Sequence, residues 1–218
     1  WLGVEDMTAT LVNKGQTVGK TEEAFHLMRQ AGICPMPMMM HHDSQPLYSY
    51  GKNYGLLNQI KLLRKAGAVS LQVLMMTPSP GTKMFEQMFT DKLVFGSVGG
   101  RDVKAYMYDG NYVVASRHAR PWRKQLNLLA GYAYFYNPFW LIVNLLRRKT
   151  RVGIKPAGMQ LVGMLGLVQS IRRTGGWALR LMFGRVDRLA TPPASRIPVH
   201  APSEISAPLA PADAAPSA

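Results

Sequence analysis

Apolar and polar positions along the first ninety residues alternate between short continuous apolar runs and longer segments of helical spacing. "LGVED", residues 2 to 6, reads as the end of a buried strand. A helix follows over about 22 to 31, "EEAFHLMRQA", with Thr21 as its expected N-cap and Gly32 as its stop. "ICPMPMMM" is too short and too proline-rich for a helix and predicts a second buried strand, with its prolines at the entry. A second helix is expected over about 53 to 66, with Leu56, Leu57, Ile60, Leu62 and Leu63 broadly on one side and Gly67 ending it. "VSLQVLMM", 69 to 76, is the third strand. Both helices close in Ala-Gly before the next strand, as β/α units with parallel strands do. The expected fold is therefore α/β, with three strands of a parallel sheet or of a β/α barrel.

Beyond residue 92 the pattern changes. Alternation around Asp109-Gly110 predicts a hairpin-like extension over 93–120. Residues 121–190 read as helical, apolar and basic, and 191–218, rich in Pro, Ala and Ser, as a disordered tail. The uncharged run 125–146 has the length of a membrane span. Asn137-Pro138 interrupts it, and its tyrosines at 132, 134 and 136 suit an interface, so two short helices lying in the interface are expected. A pair of ordinary core helices is the alternative.

Charge sharpens this picture. The chain carries a net +14, of which +11 falls within 121–190 and +4 within 1–120. Cations bracketing long apolar runs fit an anionic membrane surface better than a nucleic-acid surface, where they are dispersed among polar residues. Cys34 is the single cysteine, so no internal disulfide can form and no zinc or iron–sulfur site can be built from this chain's thiolates. The context reads as reducing, and no secretory leader pattern opens the chain. The start at "WLGVEDMT", without an initiator Met, reads as the inside of a longer polypeptide.

In parallel α/β folds ligands meet the carboxyl ends of the strands. Three loops lie there: Glu5 to Thr8, His41-His42-Asp43-Ser44-Gln45, and Thr77 to Thr82. Adjacent histidines on extended backbone point to opposite faces, so one of His41 and His42 enters such a pocket easily. A polar contact to substrate or cofactor, loop capping, and a metal site completed from elsewhere are all open to His41, His42 and Asp43. Met36, Met38, Met39 and Met40 are either core filler or the soft lining of a pocket for a bulky ligand. Glu5 can accept hydrogen bonds from ribose hydroxyls or an ammonium group, or cap a helix. Lys14-Gly15-Gln16-Thr17 lacks the rest of a phosphate loop.

As an ordered set, "LGVEDMT", "NKGQTVGKTEEAFHLMRQAGI", the Met-rich strand and "VLMMTPSPGTKMFEQM" resemble the second half of a radical SAM barrel, over roughly residues 1 to 90. "PMPMMMHHDSQPL", "GLLNQIKLLRKAGA" and the basic apolar C-terminal segment are most similar to the cobalamin-binding radical SAM enzymes that methylate hopanoids at C-3. The resemblance implies that residues 1–92 form the C-terminal half of a partial TIM barrel. It also implies that SAM, a 4Fe-4S cluster and cobalamin serve the reaction, and that a methyl group passes to an unactivated carbon of a polycyclic lipid. By position it implies that Glu5 and Thr77 contact SAM or its neighbour, and that His41, His42, Asp43, Met38 and Met40 line the substrate or cofactor pocket. The family's Cys-x-x-x-Cys-x-x-Cys and its cobalamin domain are not in this chain. The expected setting is the inner face of the cytoplasmic membrane, with anionic lipid as partner and no nucleic acid. A noncatalytic membrane-peripheral scaffold and a radical SAM enzyme for another apolar substrate are the alternatives.

Overall fold

The computed structural model describes residues 1–7, 17–82, 84–146 and 151–193. Lys14 to Gln16, Arg147 to Lys149 and the expected tail from residue 194 onward lie outside the described residues. The described chain is a mixed α/β structure with two small sheets and no closed barrel.

Strands β1 (Leu2–Glu5), β2 (Pro37–His41) and β3 (Gln72–Met75) form a parallel sheet in the order β1-β2-β3. The connecting helices are α1 (Val18–Gln30) and α2 (Leu56–Ala66). Helix α1 starts earlier than expected, because Thr17 rather than Thr21 is the N-cap: the Thr17 hydroxyl oxygen accepts from the Lys20 N–H at 3.3 Å. Thr21 lies in the first turn and donates back to the Thr17 carbonyl at 3.1 Å. Helix α2 ends as its Ala-Gly signature predicts. Gly67 adopts φ +104°, a left-handed conformation that side chains resist, and the Arg29 side chain fills the space a Cβ would take.

Side chains alternate across the sheet. Val4, Met39, His41 and Val73 are buried on the face covered by helices, whereas Met38, Met40, Gln72 and Leu74 are partly exposed on the other. After β3 come α3 (Met84–Thr90) and then β4 (Phe95–Val98) and β5 (Arg101–Asp102). The hairpin in this region therefore turns at Gly99-Gly100, not at Asp109-Gly110. Asp109-Gly110 instead follows a short 3₁₀ helix over Ala105–Tyr108, and the buried segment 112–115 runs beside β4, where Phe95 N–H donates to the Val114 carbonyl at 2.8 Å. Both sites carry turn residues, and the double glycine supplies two positive φ angles, the demand of a tight hairpin.

The basic segment forms α4 (Trp122–Phe135), α5 (Pro138–Leu146) and α6 (Lys155–Phe183), followed by β6 (Val186–Arg188), which joins β4 in the antiparallel order β5-β4-β6. The break at Asn137-Pro138 falls where expected. Helix α4, however, is a core helix. Leu128, Tyr132, Phe135 and Tyr136 share one hydrophobic core with Val4, Met39, Ile60 and Trp177. Tyr134 stays exposed, whereas Tyr132 and Tyr136 bury instead of seeking an interface, because their hydroxyls find backbone partners on β3 and just before it. Tyr132 Oη accepts from Val73 N–H (3.1 Å) and donates to its carbonyl (2.9 Å), and Tyr136 Oη does the same for Leu71 (2.7 and 2.8 Å). Burial pushes the Tyr132 phenol up to about 12, so it keeps its proton and its donor role. Helix α5 has no buried residue, and Phe139, Ile142 and Leu146 on α5 and Leu161, Val162 and Leu165 on α6 are exposed. Among the described residues no helix is long and apolar enough to cross a membrane.

Candidate functional site

The loop after β2 is fixed from below by α4. Lys124 is buried, and its Nζ donates to the carbonyls of Gln45 (2.7 Å) and His42 (3.4 Å). Burial lowers the Lys124 pKa, and the nearby Asp43 carboxylate opposes that shift. His41 points its ring into the same buried network. Its Nδ1 lies 2.8 Å from Gln45 Oε1 and its Nε2 3.2 Å from Asn127 Nδ2. This pairing assigns the proton to Nδ1 and leaves Nε2 as an acceptor. Desolvation, partly offset by the Gln45 bond, drops its pKa to about 4, so His41 is neutral at pH 7. Both of its nitrogens are taken, and His41 positions the loop instead of meeting a ligand.

A cavity of about 470 Å³ opens at the carboxyl ends of β2 and β3. Its apolar wall comes from Met75, Met76, Met84 and Met88, and its polar rim from His42, Asp43, Ser116 and His118. His42 takes the opposite side from His41, as strand alternation requires. Its Nε2 is buried without a hydrogen-bond partner. Burial lowers the His42 pKa, while Asp6, Asp43 and Glu5 pull it the other way. Asp43 ties the rim together: its Oδ1 accepts from Ser116 Oγ at 2.5 Å and its Oδ2 from Arg117 N–H at 2.7 Å. Ser116 Oγ accepts in turn from His118 N–H at 2.9 Å, and Arg188 of β6 donates to the Ser116 carbonyl at 2.8 Å. His118 Nδ1 accepts from Arg120 N–H at 2.9 Å, which leaves Nε2 as its donor nitrogen.

The site expected from sequence is thus partly assembled. His42 and Asp43 line the cavity and His41 forms part of its wall. Met38 and Met40 do not line it; they lie further back on the partly exposed sheet face, and the methionines of the cavity come from β3, its loop and α3. Glu5, at φ +52°, and Thr77 also stand outside the cavity lining, although the Glu5 charge reaches His42. Ser116, His118, Met84 and Met88 were not expected. Met75-Met76 at the end of a strand carried a readable signal; Ser116 and His118 are brought in from a loop whose packing the local pattern does not reveal.

Ser116 is engaged by the Asp43 carboxylate and by a backbone N–H, and among the described residues no imidazole bonds its hydroxyl in the way that activates a serine nucleophile. Among the described residues no three His, Cys, Asp or Glu side chains converge on a metal position. The arrangement can hold a bulky apolar ligand on thioethers, with the imidazoles of His42 and His118 at its rim. No family model, curated protein or solved structure matches the chain.

Proposed function

We propose that this chain is the C-terminal part of a cobalamin-binding radical SAM enzyme that methylates a polycyclic membrane lipid of the hopanoid class. The observation that carries this reading is a methionine-walled cavity with a His42–Asp43–Ser116–His118 rim at the carboxyl ends of consecutive parallel strands. A parallel sheet that is not closed, with Met38, Met40 and Leu74 partly exposed on one face, is what half of a barrel presents. The outward apolar residues of α5 and α6 support a position at the inner face of the cytoplasmic membrane, as does the absence of any Asp or Glu between residues 110 and 186. An enzyme so placed meets its lipid where the lipid resides.

The iron–sulfur cluster does not fit this chain. Cys34 is its one cysteine, and no ligand set exists among the described residues. The radical-generating chemistry therefore belongs to protein beyond these residues, and the chain contributes the substrate side. His42 would orient a polar group of the lipid or cofactor through Nε2, and Asp43 would hold the rim in shape.

The test is to express the natural reading frame that contains this chain anaerobically, supply SAM and methylcobalamin, and analyse hopanoids by mass spectrometry. A methylated product that is lost in His42→Ala supports the reading. No methylated polycyclic lipid from enzyme with full cluster and cobalamin content refutes it. A noncatalytic membrane-peripheral scaffold is favoured by one observation, that Asp43 and Ser116 satisfy each other. It predicts vesicle binding with no methylated product.

A further inference from the structure

On the far side of the molecule a second cleft of about 300 Å³ lies between the C-terminal turns of α1 and α2 and the helices α5 and α6. Its charged walls are Arg29, Arg64 and Lys65, with His26 also in the lining, and among the described residues no acidic side chain lines it. Arg64 is the unusual member. Burial lowers its pKa and no carboxylate among the described residues offsets this; the Tyr134 carbonyl accepts from one N–H at 2.7 Å, and the guanidinium lies 4.4 Å above the Trp140 ring. Arg29 donates to the Gly67 carbonyl at 3.0 Å, which quiets one exposed carbonyl at the end of α2. The amino-terminal turn of α6, with its positive dipole end, enters through Pro156. Gln160 supplies an independent observation: it is 2% exposed, it lines the cleft, and its Oε1 has no hydrogen-bond partner. A buried acceptor left open costs stability, so the cleft is short of a donor as well as of negative charge.

We infer that this cleft binds a phosphate ester with a neighbouring hydroxyl group, the phosphate against Arg29, Arg64 and Lys65 and the hydroxyl donating to Gln160 Oε1. A soluble glycerol phosphate and the headgroup of phosphatidylglycerol share that chemistry. The inference does not rest on the methylase reading, since none of these residues touches the methionine-walled cavity.

Trp140 provides the signal. The full chain is titrated with glycerol 3-phosphate, with inorganic phosphate, and with phosphatidylcholine vesicles with and without phosphatidylglycerol, and the fluorescence change is assigned to Trp140 with a Trp140→Phe variant. Two further variants probe the cleft. Lys65→Gln changes an exposed side chain, and Gln160→Leu removes a buried acceptor that has no partner, so both should fold. Saturable binding of glycerol 3-phosphate about tenfold tighter than inorganic phosphate is expected, a preference abolished in Gln160→Leu. Lys65→Gln should weaken both ligands about fivefold. If glycerol 3-phosphate alone saturates, the ligand is a soluble ester. A Trp140 response only to phosphatidylglycerol vesicles, reduced in both cleft variants, identifies a lipid headgroup. Vesicle binding unchanged in both variants, with no Trp140 response to glycerol 3-phosphate, assigns all membrane affinity to the outer face of α5 and α6 and overturns the inference. No saturable response to any of the ligands overturns it as well.

Discussion

His41 makes the stability of the fold depend on pH in a direction and size that can be worked out. Its folded pKa of about 4 lies below its ordinary value of 6.5, because the ring is buried, an effect that the Gln45 bond only partly offsets. Between those values the unfolded chain binds a proton that the folded chain refuses. Stability is therefore fully present above pH 6.5 and is lost as pH falls towards 4. Linkage puts the loss at about 2 kcal/mol between pH 7.5 and 5, and about 3 kcal/mol by pH 4. His42 is shifted the same way, so the native chain should lose somewhat more than this. The His41→Gln variant keeps a donor and an acceptor but cannot titrate. It should be less stable at pH 7.5 by roughly 1–2 kcal/mol, from imperfect replacement of the two bonds. Its loss between pH 7.5 and 5 should be smaller than the native loss by about 2 kcal/mol. Urea unfolding of both proteins at both pH values, with equal m-values, measures the difference directly. Equal pH losses would show that the His41 ring is not held neutral by burial, and the account of the β2 loop would fall with it.

Tyr136→Phe strips partners from the Leu71 N–H and carbonyl at once and should cost about 2 kcal/mol in thermal or urea unfolding, with Tyr132→Phe similar at Val73. A loss under 0.5 kcal/mol, roughly what an unpaired surface hydroxyl is worth, would contradict the assigned bonds. Gly163→Ala drives a methyl into the Tyr136 ring, which its own hydroxyl bonds prevent from swinging aside, and a loss of about 3 kcal/mol is expected. Asp43→Asn leaves Ser116 and Arg117 N–H with a weaker partner; about 1–2 kcal/mol of stability and faster amide exchange at Arg117 and His118 should result, as read by hydrogen exchange. Replacing Ile142 and Leu165 together by Asn should reduce binding to anionic vesicles at least tenfold without lowering the unfolding midpoint, since both side chains are exposed.

The regular part of this fold was legible because it is local. Ala-Gly at the end of each helix, apolar runs between them and the turn after Met76 define three β/α steps, and the structure shows all three strands parallel and in order. The choice of sheet face was not legible. Alternation says that Met38 and Met40 share a side and Met39 takes the other, but which side the helices cover depends on crossover packing, and that put Met39 in the core. Tyr132 and Tyr136 misled for a related reason: an aromatic with a polar tip is equally suited to a lipid interface and to an unpaired strand edge, and only the fold decides. His42 and Asp43 were readable as the end of a strand. Ser116 and His118 were not, since they reach the rim across more than seventy residues through β4 and β6, which no short-range pattern encodes.

The two phenols and the Gly110 carbonyl, which accepts from Met75 N–H, seal one margin of the parallel sheet. A strand margin left bare attracts neighbouring chains. Here the outer margin at Leu71, Val73 and Met75 is already taken, by the phenols from the end of α4 and by the Gly110 carbonyl. No further strand, from the same polypeptide or another, can add beside β3 without displacing them. Self-association along that margin is closed off by the fold itself.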